Sequence, residues 1–166
     1  SVWNYELGVK SQFLDRRATL NVAGYRIDWK DVQQAVADPV CGSLFFANFG
    51  EARSEGVEVE LSVKPVESLL LNASASYTDA QYTKVDSAFV GAVEVQPGDP
   101  LADVPEWKYA VSGEYTFAFG DSRSGYVRAD WHYVDATPIG VTTRDERPSY
   151  DILNASIGLQ SGPWDL

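Results

Sequence analysis

Strict alternation of apolar and polar residues runs through most of this chain, and this feature limits its possible folds more than any other. The clearest example covers residues 56–64, where every second residue is aliphatic and those between are polar. The aliphatic members are Val57, Val59, Leu61 and Val63. Successive side chains of a β-strand point to opposite faces, so this period belongs to a strand with one apolar and one polar face. A helix would need a period near 3.6, which this segment lacks.

The same period recurs along the chain and predicts six further strands. Together the seven predicted strands cover residues 3–14, 18–30, 52–64, 69–79, 107–119, 125–135 and 149–160, with an eighth beginning at Trp164. One segment changes parity: Leu20 and Val22 share one face, whereas Tyr25, Ile27 and Trp29 share the other. Either a bulge at Ala23-Gly24 or a strand that leaves a bilayer and changes its outward face would explain the change.

The connections between these strands alternate in length. Short turns are predicted at residues 15–17, 65–68, 120–125 and 161–163, and long loops at 33–50, 80–106 and 135–148. Membrane barrels are built with short turns at one end and long loops at the other. The sequence therefore predicts an all-β fold, an antiparallel up-and-down meander that forms a partial transmembrane β-barrel of about seven to eight strands. Two alternatives remain: a small self-contained outer-membrane barrel with a structural or adhesive role, and a soluble lipocalin-like binding barrel with its faces inverted.

Aromatic residues concentrate near the ends of the predicted strands. At the loop ends they are Trp107, Tyr109, Trp131 and Tyr133, and near the turns they are Tyr115, Phe117 and Tyr126. Two aromatic girdles around an aliphatic band are typical of a membrane barrel. Aromatic residues also fill soluble β-cores, and alternation by itself does not separate the two readings.

Charge and residue counts exclude several functions. The net charge of −11, from 24 acidic and 13 basic residues, argues against nucleic acid as a partner. A single Cys41 and a single His132 cannot build a zinc site, and no phosphate loop or nucleophile elbow is present, so we predict no enzyme and no cofactor. We interpret Cys41 as a packed loop residue. His132 alternates with Arg128 and Asp130 on a polar face, which favours a solvated or hydrogen-bonded residue over a proton relay.

Two carboxylates lie near the outer end of the second predicted strand. Asp28 and Asp31 are three residues apart and are flanked by Arg26 and Lys30. Carboxylates at this spacing could bind a cation, but adjacent bases favour local ion pairing. We therefore predict ion pairs here and no metal site.

Several stretches resemble the β-barrel domain of TonB-dependent outer-membrane receptors. Residues 5–10 (YELGVK) and 25–33 (YRIDWKDVQ) are similar to the family's "YE.G.K" and "Y.IDW.D.Q" strands. Residues 48–60 (NFGEARSEGVEVE) are similar to its "N.G.A...G.E.E" strand, and residues 98–107 resemble its "G..L...P.W" approach to the next strand. The order and spacing of these stretches, which extend over nearly the whole chain, make the resemblance specific.

This resemblance implies a function in transport. The expected protein is the wall and outer-loop segment of a Gram-negative outer-membrane receptor for a scarce nutrient, such as an iron–siderophore chelate. Its expected partners are outer-membrane lipid, the rest of the barrel, a plug domain and, through an N-terminal region, TonB. Residues 1–166 are expected to be one fragment of a single transmembrane β-barrel domain, without the plug domain and the closing strands.

The long loops supply the candidate ligand contacts. The loop at residues 80–106 has five acidic residues against one base, Lys84, so its local potential should disfavour a strongly anionic ligand. In the next loop Arg144 and Arg147 would offset that charge. The candidate contacts are Asp86, Phe89, Glu94, Asp99, Arg144 and Arg147. Loops that are only solvated and packed on their neighbours are the alternative.

Overall fold

The computed structural model describes residues 1–37, 43–87, 95–120, 123–140, 145–161 and 164–165, and within these ranges it gives no side-chain detail for residues 34, 36, 37, 44, 45, 161, 164 and 165. Eight strands form one antiparallel sheet in which each long strand pairs with the next long strand along the chain. The predicted all-β meander is confirmed. Within the described ranges, no helix has the length and apolar character needed to cross a membrane.

Six long strands of the sheet follow one another in hairpins, and a seventh follows a small hairpin of its own. The strands are β1 (Val2–Phe13), β2 (Ala18–Ala37), β3 (Leu44–Val66), β4 (Leu69–Val85), β5 (Trp107–Ala118), β6 (Arg123–Val134), β7 (Thr137–Pro138), β8 (Glu146–Arg147), β9 (Tyr150–Ser161) and β10 (Trp164–Asp165). β7 pairs only with β8, and β9 lies beside β6. The strand order predicted from alternation is thus observed, with an eighth strand at Trp164.

Three strand ends differ from the sequence prediction. β2 continues to Ala37, β3 begins at Leu44 and β4 continues to Val85, so the loops predicted at 33–50 and 80–106 are shorter than expected. These extensions pair with one another through cross-strand backbone contacts. Alternation failed to predict these extensions because the apolar and polar faces exchange sides there. The face that is apolar in the lower part of each strand is polar in its extension.

The register sorts the side chains of neighbouring strands into two continuous faces. One row on the polar face contains Lys10, Asn21, Glu60, Ser74, Ala110 and His132. The adjacent row on the apolar face contains Val9, Val22, Val59, Ala75, Tyr109 and Tyr133. The polar face carries a cavity of about 310 Å³ that extends from β2 to β6. Asp130 on this face is 20% exposed, whereas Leu153 on the apolar face is 70% exposed, so the sheet curves towards its polar side. A lipocalin-like barrel would place its apolar face inside, and this geometry rules out that inversion.

Aromatic side chains form two belts on the convex apolar face. The upper girdle consists of consecutive ring contacts at centroid distances of 4.8–6.3 Å through Tyr77, Trp107, Tyr109, Tyr133 and Trp131. The lower girdle consists of Tyr115, Phe117 and Phe119. Trp107 and Phe117 are ten residues apart on β5, which at about 3.3 Å per residue and a tilt near 40° gives roughly 25 Å, the height of a membrane barrel's apolar band.

Tyr126 does not belong to the lower girdle, contrary to the sequence prediction. It is in register with Thr116 and Gly158, both on the concave face, and its ring covers Gly158. The ring occupies the space that a side chain at Gly158 would need. The prediction relied on closeness to the turn and did not account for the parity of position 126.

The apolar residues of β2 move from one face to the other near Gly24 because the polar and apolar faces of the sheet exchange sides at this level. The β1–β2 and β2–β3 registers are continuous through Ala23 and Gly24, so of the two explanations left open by the sequence the change of outward face is observed and the bulge at this position is not. The bulge lies instead at Asp31, which has a left-handed φ of 61°. Beyond Gly24, the concave side carries Tyr25, Ile27 and Trp29. The convex side carries charged residues at this level, as expected for a sheet that extends beyond the apolar band.

The buried core lies in this extension and not in the band below it. Val32, Phe49, Ala52 and Tyr82 form a buried cluster, with Phe49 and Tyr82 in edge-to-face contact at 5.5 Å. Partly buried Val85, Val95 and Leu101 pack against it. The loop that contains Val95 and Leu101 continues as a neighbour of β4, since Leu101 N–H donates to Ala80 O at 2.8 Å.

The sheet is open in the part of the chain that the structure describes. There β1 pairs only with β2, and β10 pairs only with β9. A closed barrel of eight strands would need β1 to pair with the last strand. The observed sheet therefore excludes the self-contained eight-stranded barrel and matches a partial barrel.

Candidate functional site

The concave cavity is the first candidate site, and we call it the lumenal cradle. Its floor consists of small polar side chains on the central strands, Ser62, Asn72, Ser74 and Ser112. Its two rims carry longer and charged side chains, Asn21 and Glu60 on one side and Arg128, Asp130 and His132 on the other. Because short residues occupy the middle of the wall, the cradle leaves room for a segment that enters from the concave side.

The rim on β6 is organised around Asp130. Its carboxylate accepts a hydrogen bond from Asn154 Nδ2 at 2.8 Å, and His132 Nε2 lies 3.3 Å from it. Arg128 Nε lies 3.8 Å away on the same face. His132 is half exposed, so the structure places it as a solvated residue beside a carboxylate, as the alternation predicts.

The opposite rim on β2 and β3 is acidic. Asn21 Nδ2 donates to Glu60 Oε2 at 3.0 Å, while Asn21 Oδ1 is buried and has no partner among the described residues. Glu58, two residues before Glu60 on β3, lies on the same face and is exposed. The carboxylates of Glu58 and Glu60 and the Asn21 Oδ1 atom suit hydrogen-bond donors and cations, and Lys10 lies in register with Asn21 on β1.

A charged network covers the convex side of the extension. Arg26 Nε donates to Asp28 Oδ2 at 3.1 Å, and Arg53 Nε donates to Asp28 Oδ1 at 3.2 Å. The hydrogen bond from Arg26 is the main reason that the pKa of the Asp28 carboxyl falls below its ordinary value of 3.8, and Arg53 adds to the effect. The predicted local pairing of Asp28 is confirmed for Arg26, and alternation gave no indication of Arg53, which is 25 positions away.

Asp31 does not join this network. It lies at the bulge in β2, and its side chain is exposed. Among the described residues, no group of three or more His, Cys, Asp and Glu side chains has a geometry that could hold a metal ion. Asp28 therefore pairs with Arg26 and Arg53, and it does not share a site with Asp31.

The candidate ligand-contacting residues have different positions and partners. Asp99 closes its own turn, because its carboxylate accepts from Gln96 N–H at 2.9 Å. Asp86 is exposed just past the end of β4, where its N–H donates to Phe49 O at 2.9 Å. Phe89, Glu94 and Arg144 lie outside the described residues, as does Cys41.

Arg147 links the two long loops through a residue that was not among the candidates. Its Nη1 lies 3.0 Å from Asp103 Oδ1, and Asp103 N–H donates to Pro138 O at 2.9 Å. Asp103 has a left-handed φ of 60°, and both its carboxylate and its N–H contact the β7–β8 hairpin. Opposite charges on adjacent loops were the only signal of this contact in the sequence.

An antiparallel sheet with a wettable concave face, an apolar convex face and two aromatic girdles is the wall of a transmembrane β-barrel. A family model described as TonB dependent receptor-like, beta-barrel, matches residues 1–165. The chain belongs to this family of transport receptors, whose members are outer-membrane proteins of Gram-negative bacteria.

Relatives of established function are similar over part of the chain. The metal-pseudopaline receptor of Pseudomonas aeruginosa is 32% identical over 116 residues, which are 70% of this chain and 15% of the receptor. The ferrichrome outer membrane transporter/phage receptor of Escherichia coli is 34% identical over 116 residues, 70% of this chain and 14% of that protein. The chain thus spans about a seventh of the length of these relatives.

Solved structures show the same fold. The ferric preacinetobactin receptor of Acinetobacter baumannii superposes with a TM-score of 0.75 over 96% of this chain and 22% of the receptor, at 17% identity. At that identity the likeness concerns the fold only.

Proposed function

We propose that this chain forms wall strands and outer loops of an outer-membrane, TonB-dependent receptor that imports an iron–siderophore chelate. The observation that carries the proposal is the pair of opposed faces, because a wide barrel in a bilayer needs a wettable lumen and a lipid-compatible exterior. The names of the similar receptors support the ligand class, since they specify metal-pseudopaline, ferrichrome and ferric preacinetobactin.

In this proposal the lumenal cradle faces a plug domain. The acidic rim at Glu60 and Glu58, with the unpaired Asn21 Oδ1, would accept hydrogen bonds from donor or cationic side chains of the plug. The small floor residues would let the plug surface approach the wall closely. Energy transmitted by TonB would then have to break these contacts when the plug moves.

The outer loops would shape the entrance above the cradle. Trp29, on the concave side of the extension, is 39% exposed and offers an aromatic surface at the mouth. Asp86, Phe89, Glu94, Asp99, Arg144 and Arg147 remain the proposed ligand-contacting set. Within it, Asp99 and Arg147 would act by holding the shape of their loops, because local contacts already occupy them.

Uptake measurements test the proposal directly. The complete receptor would be expressed in an outer-membrane-receptor deletion strain and supplied with radiolabelled ferric siderophores of several chemical types. We expect iron accumulation for at least one chelate, and loss of that accumulation in a strain without TonB. A folded, surface-exposed receptor that imports none of them, or imports one equally without TonB, would overturn the proposal.

A short deletion tests the loop assignment without damaging the core. Val95 and Leu101 pack on the buried cluster, so a deletion limited to residues 88–94 spares both of these residues, whereas a deletion that reached Val95 would not. If Phe89 and Glu94 contact ligand, the deletion should weaken ferric siderophore binding measured by fluorescence quenching. Unchanged affinity in a folded receptor would remove both residues from the ligand site.

A further inference from the structure

The strands β2, β3 and β4 carry no charged residue on the concave side of the lower extension. Their registers relate the residues of this level row by row. The concave rows are Tyr25, Gly56 and Thr78, then Ile27, Ser54 and Ala80, then Trp29, Ala52 and Tyr82. We call this surface the neutral wall. The concave residues beside it on β1 are Val2, Asn4 and Glu6, so the one charge at its border is a carboxylate.

The charged residues of the same level lie on the opposite, convex side. The rows there, which include β1, are Trp3, Asp28, Arg53 and Gln81, and Tyr5, Arg26, Glu55 and Asp79. Asp28 accepts hydrogen bonds from both guanidinium groups, at 3.1 Å from Arg26 and 3.2 Å from Arg53. The cations of this level are therefore occupied on the convex side, and the neutral wall offers none to an anion.

The accessible part of the neutral wall is apolar and centres on Trp29. Its side chain is 39% exposed, whereas Ala52 and Tyr82 in the same row are buried in the core cluster. Ile27, one row below, is partly buried, and Val2 lies beside Trp29 on β1. Buried neighbours on one side hold the indole in place and leave its other side open to the mouth.

Two cations elsewhere in the upper sheet already have carboxylates beside them. Arg147 lies 3.0 Å from Asp103, so it does not offset the negative potential of the loop after β4. Lys108 also faces the concave side, but it lies lower, in register with Ser76, and Glu58 borders the same cavity. The described part of the mouth thus combines an apolar wall with a negative surrounding potential.

We propose that the neutral wall binds a ferric chelate of low net charge and that Trp29 determines this specificity. The inference rests on the proposed function and names the class of chelate that the receptor imports. The exposed side of the Trp29 indole packs on apolar groups at the periphery of the chelate, because an aromatic ring supplies a large apolar contact area.

The same wall selects against strongly anionic chelates. Three singly negative hydroxamates balance the charge of Fe³⁺, whereas three doubly negative catecholates leave the complex strongly negative. An anion on the neutral wall would lose its hydration without gaining a cation, and Glu6 would repel it. Ferric trihydroxamates should therefore bind more tightly than ferric tris-catecholates.

Equilibrium binding to the complete, detergent-purified receptor tests the inference. Several ferric trihydroxamates and several ferric tris-catecholates, each labelled with radioactive iron, would be titrated. We expect the tightest binding from a trihydroxamate. Trp29→Ala should weaken that binding about tenfold through loss of the aromatic contact. Trp29→Lys should weaken it as well and should raise the affinity for tris-catecholates, because it adds a cation to the wall.

Trp3→Ala is the matched control. Trp3 lies at the same level on the neighbouring strand and is 63% exposed, but it points to the convex side. Its removal should leave the affinity unchanged. Tighter binding of a tris-catecholate by the wild type would overturn the inference. Unchanged affinity in a folded Trp29→Ala receptor would also overturn it, since the indole would then meet the plug and not the ligand.

Uptake measured on the same receptor separates this inference from the proposed function. TonB-dependent import of a tris-catecholate in preference to every trihydroxamate would leave the proposed function standing and refute only the assignment of the neutral wall. Absence of import for all the chelates would refute the proposed function itself.

Discussion

Adjacent residues of one strand meet different surroundings in this sheet. Val111 lies on the convex face and is 50% exposed, while Ser112 lies on the floor of the lumenal cradle. Both are close to the midpoint between Tyr109 of the upper girdle and Tyr115 of the lower girdle. Exposure of the Val111 side chain to water would destabilise the fold, whereas its exposure to hydrocarbon is favourable. The contribution of Val111 to stability therefore depends on the solvent that meets the convex face.

Arginine substitutions at these two positions should therefore differ. Val111→Arg should destabilise the complete receptor by about 2–4 kcal/mol, because it places a cation on the lipid face near the bilayer midplane. Ser112→Arg should be much milder, since its side chain enters a wettable lumen. Urea titration of folding into liposomes measures both, and equal losses would refute the assignment of the faces.

The ion pairs of Asp28 give the extension a pH dependence of known sign. Hydrogen bonds from Arg26 and Arg53 lower the pKa of Asp28, so the carboxylate stabilises the folded state above its ordinary pKa of 3.8 and loses that effect as pH falls through the lowered value. The thermal stability advantage of the wild type over Asp28→Asn should be constant at neutral pH and disappear in strong acid.

Salt provides the control for that experiment. Because the network is solvent-exposed, about 1 M salt should reduce the advantage at pH 7, where Debye screening acts over roughly 3 Å. An advantage that persists unchanged into strong acid would show that Asp28 stabilises the extension through packing and not through charge.

At the scale of elements, β2, β3 and β4 pass from the apolar band into an extension with reversed faces. Tyr25 marks this change: its hydroxyl lies 2.9 Å from Thr78 Oγ1 on the concave side, and its ring covers Gly56 between them. The three strands are thus held by side chains as well as by the backbone. Gly56 permits this arrangement, because any side chain there would meet the Tyr25 ring and the Tyr77 carbonyl.

Alanine substitutions at Gly56 and Gly24 should distinguish the effect of crowding at a site from the general effect of replacing a glycine in a strand. Gly56→Ala should destabilise the β3–β4 pairing by about 1–3 kcal/mol, the range for overpacking, since its Cβ would lie 2.8 Å from the Tyr25 hydroxyl and collide with backbone. Gly24→Ala should be neutral or slightly stabilising, because a Cβ there would meet only Gly56 O, at 3.8 Å. Thermal unfolding of the two variants measures the difference, and equal stability would contradict the packing described at Gly56.

At the scale of the whole molecule, the sheet exposes a long free edge. Every residue of β1 is exposed, and one side of its backbone has no strand partner in the described structure. Unpaired strand edges attract other strands, and free backbone groups are not tolerated in hydrocarbon. The 166-residue chain by itself should therefore be incomplete as a transporter.

Expression of residues 1–166 without the rest of the receptor tests this property. We expect the chain to self-associate through its edges in detergent, in species larger than a monomer by light scattering, and to import no substrate. A monodisperse monomer that conducts ions or accumulates substrate would contradict the expectation.

The sequence by itself determined the strands, their order and their faces within the apolar band. Alternation predicted these because each strand there meets lipid on one side and water on the other, so residues such as Val59 and Glu60 had to differ. The alternation of short turns with long loops added the direction of the faces, and resemblance to the receptor family added the transport role. The ion pair between Arg26 and Asp28 was also predictable, because the two residues are only two positions apart in the sequence.

Only the tertiary structure decided what happens outside that band. The polarity of the two faces reverses beyond Gly24, so alternation could not tell a bulge from a continuous strand until the register was known. The buried cluster of Phe49 and Tyr82 and the Asp103–Arg147 link each join residues that are distant in sequence. Their formation depends on strand register and loop packing, which local periodicity does not encode.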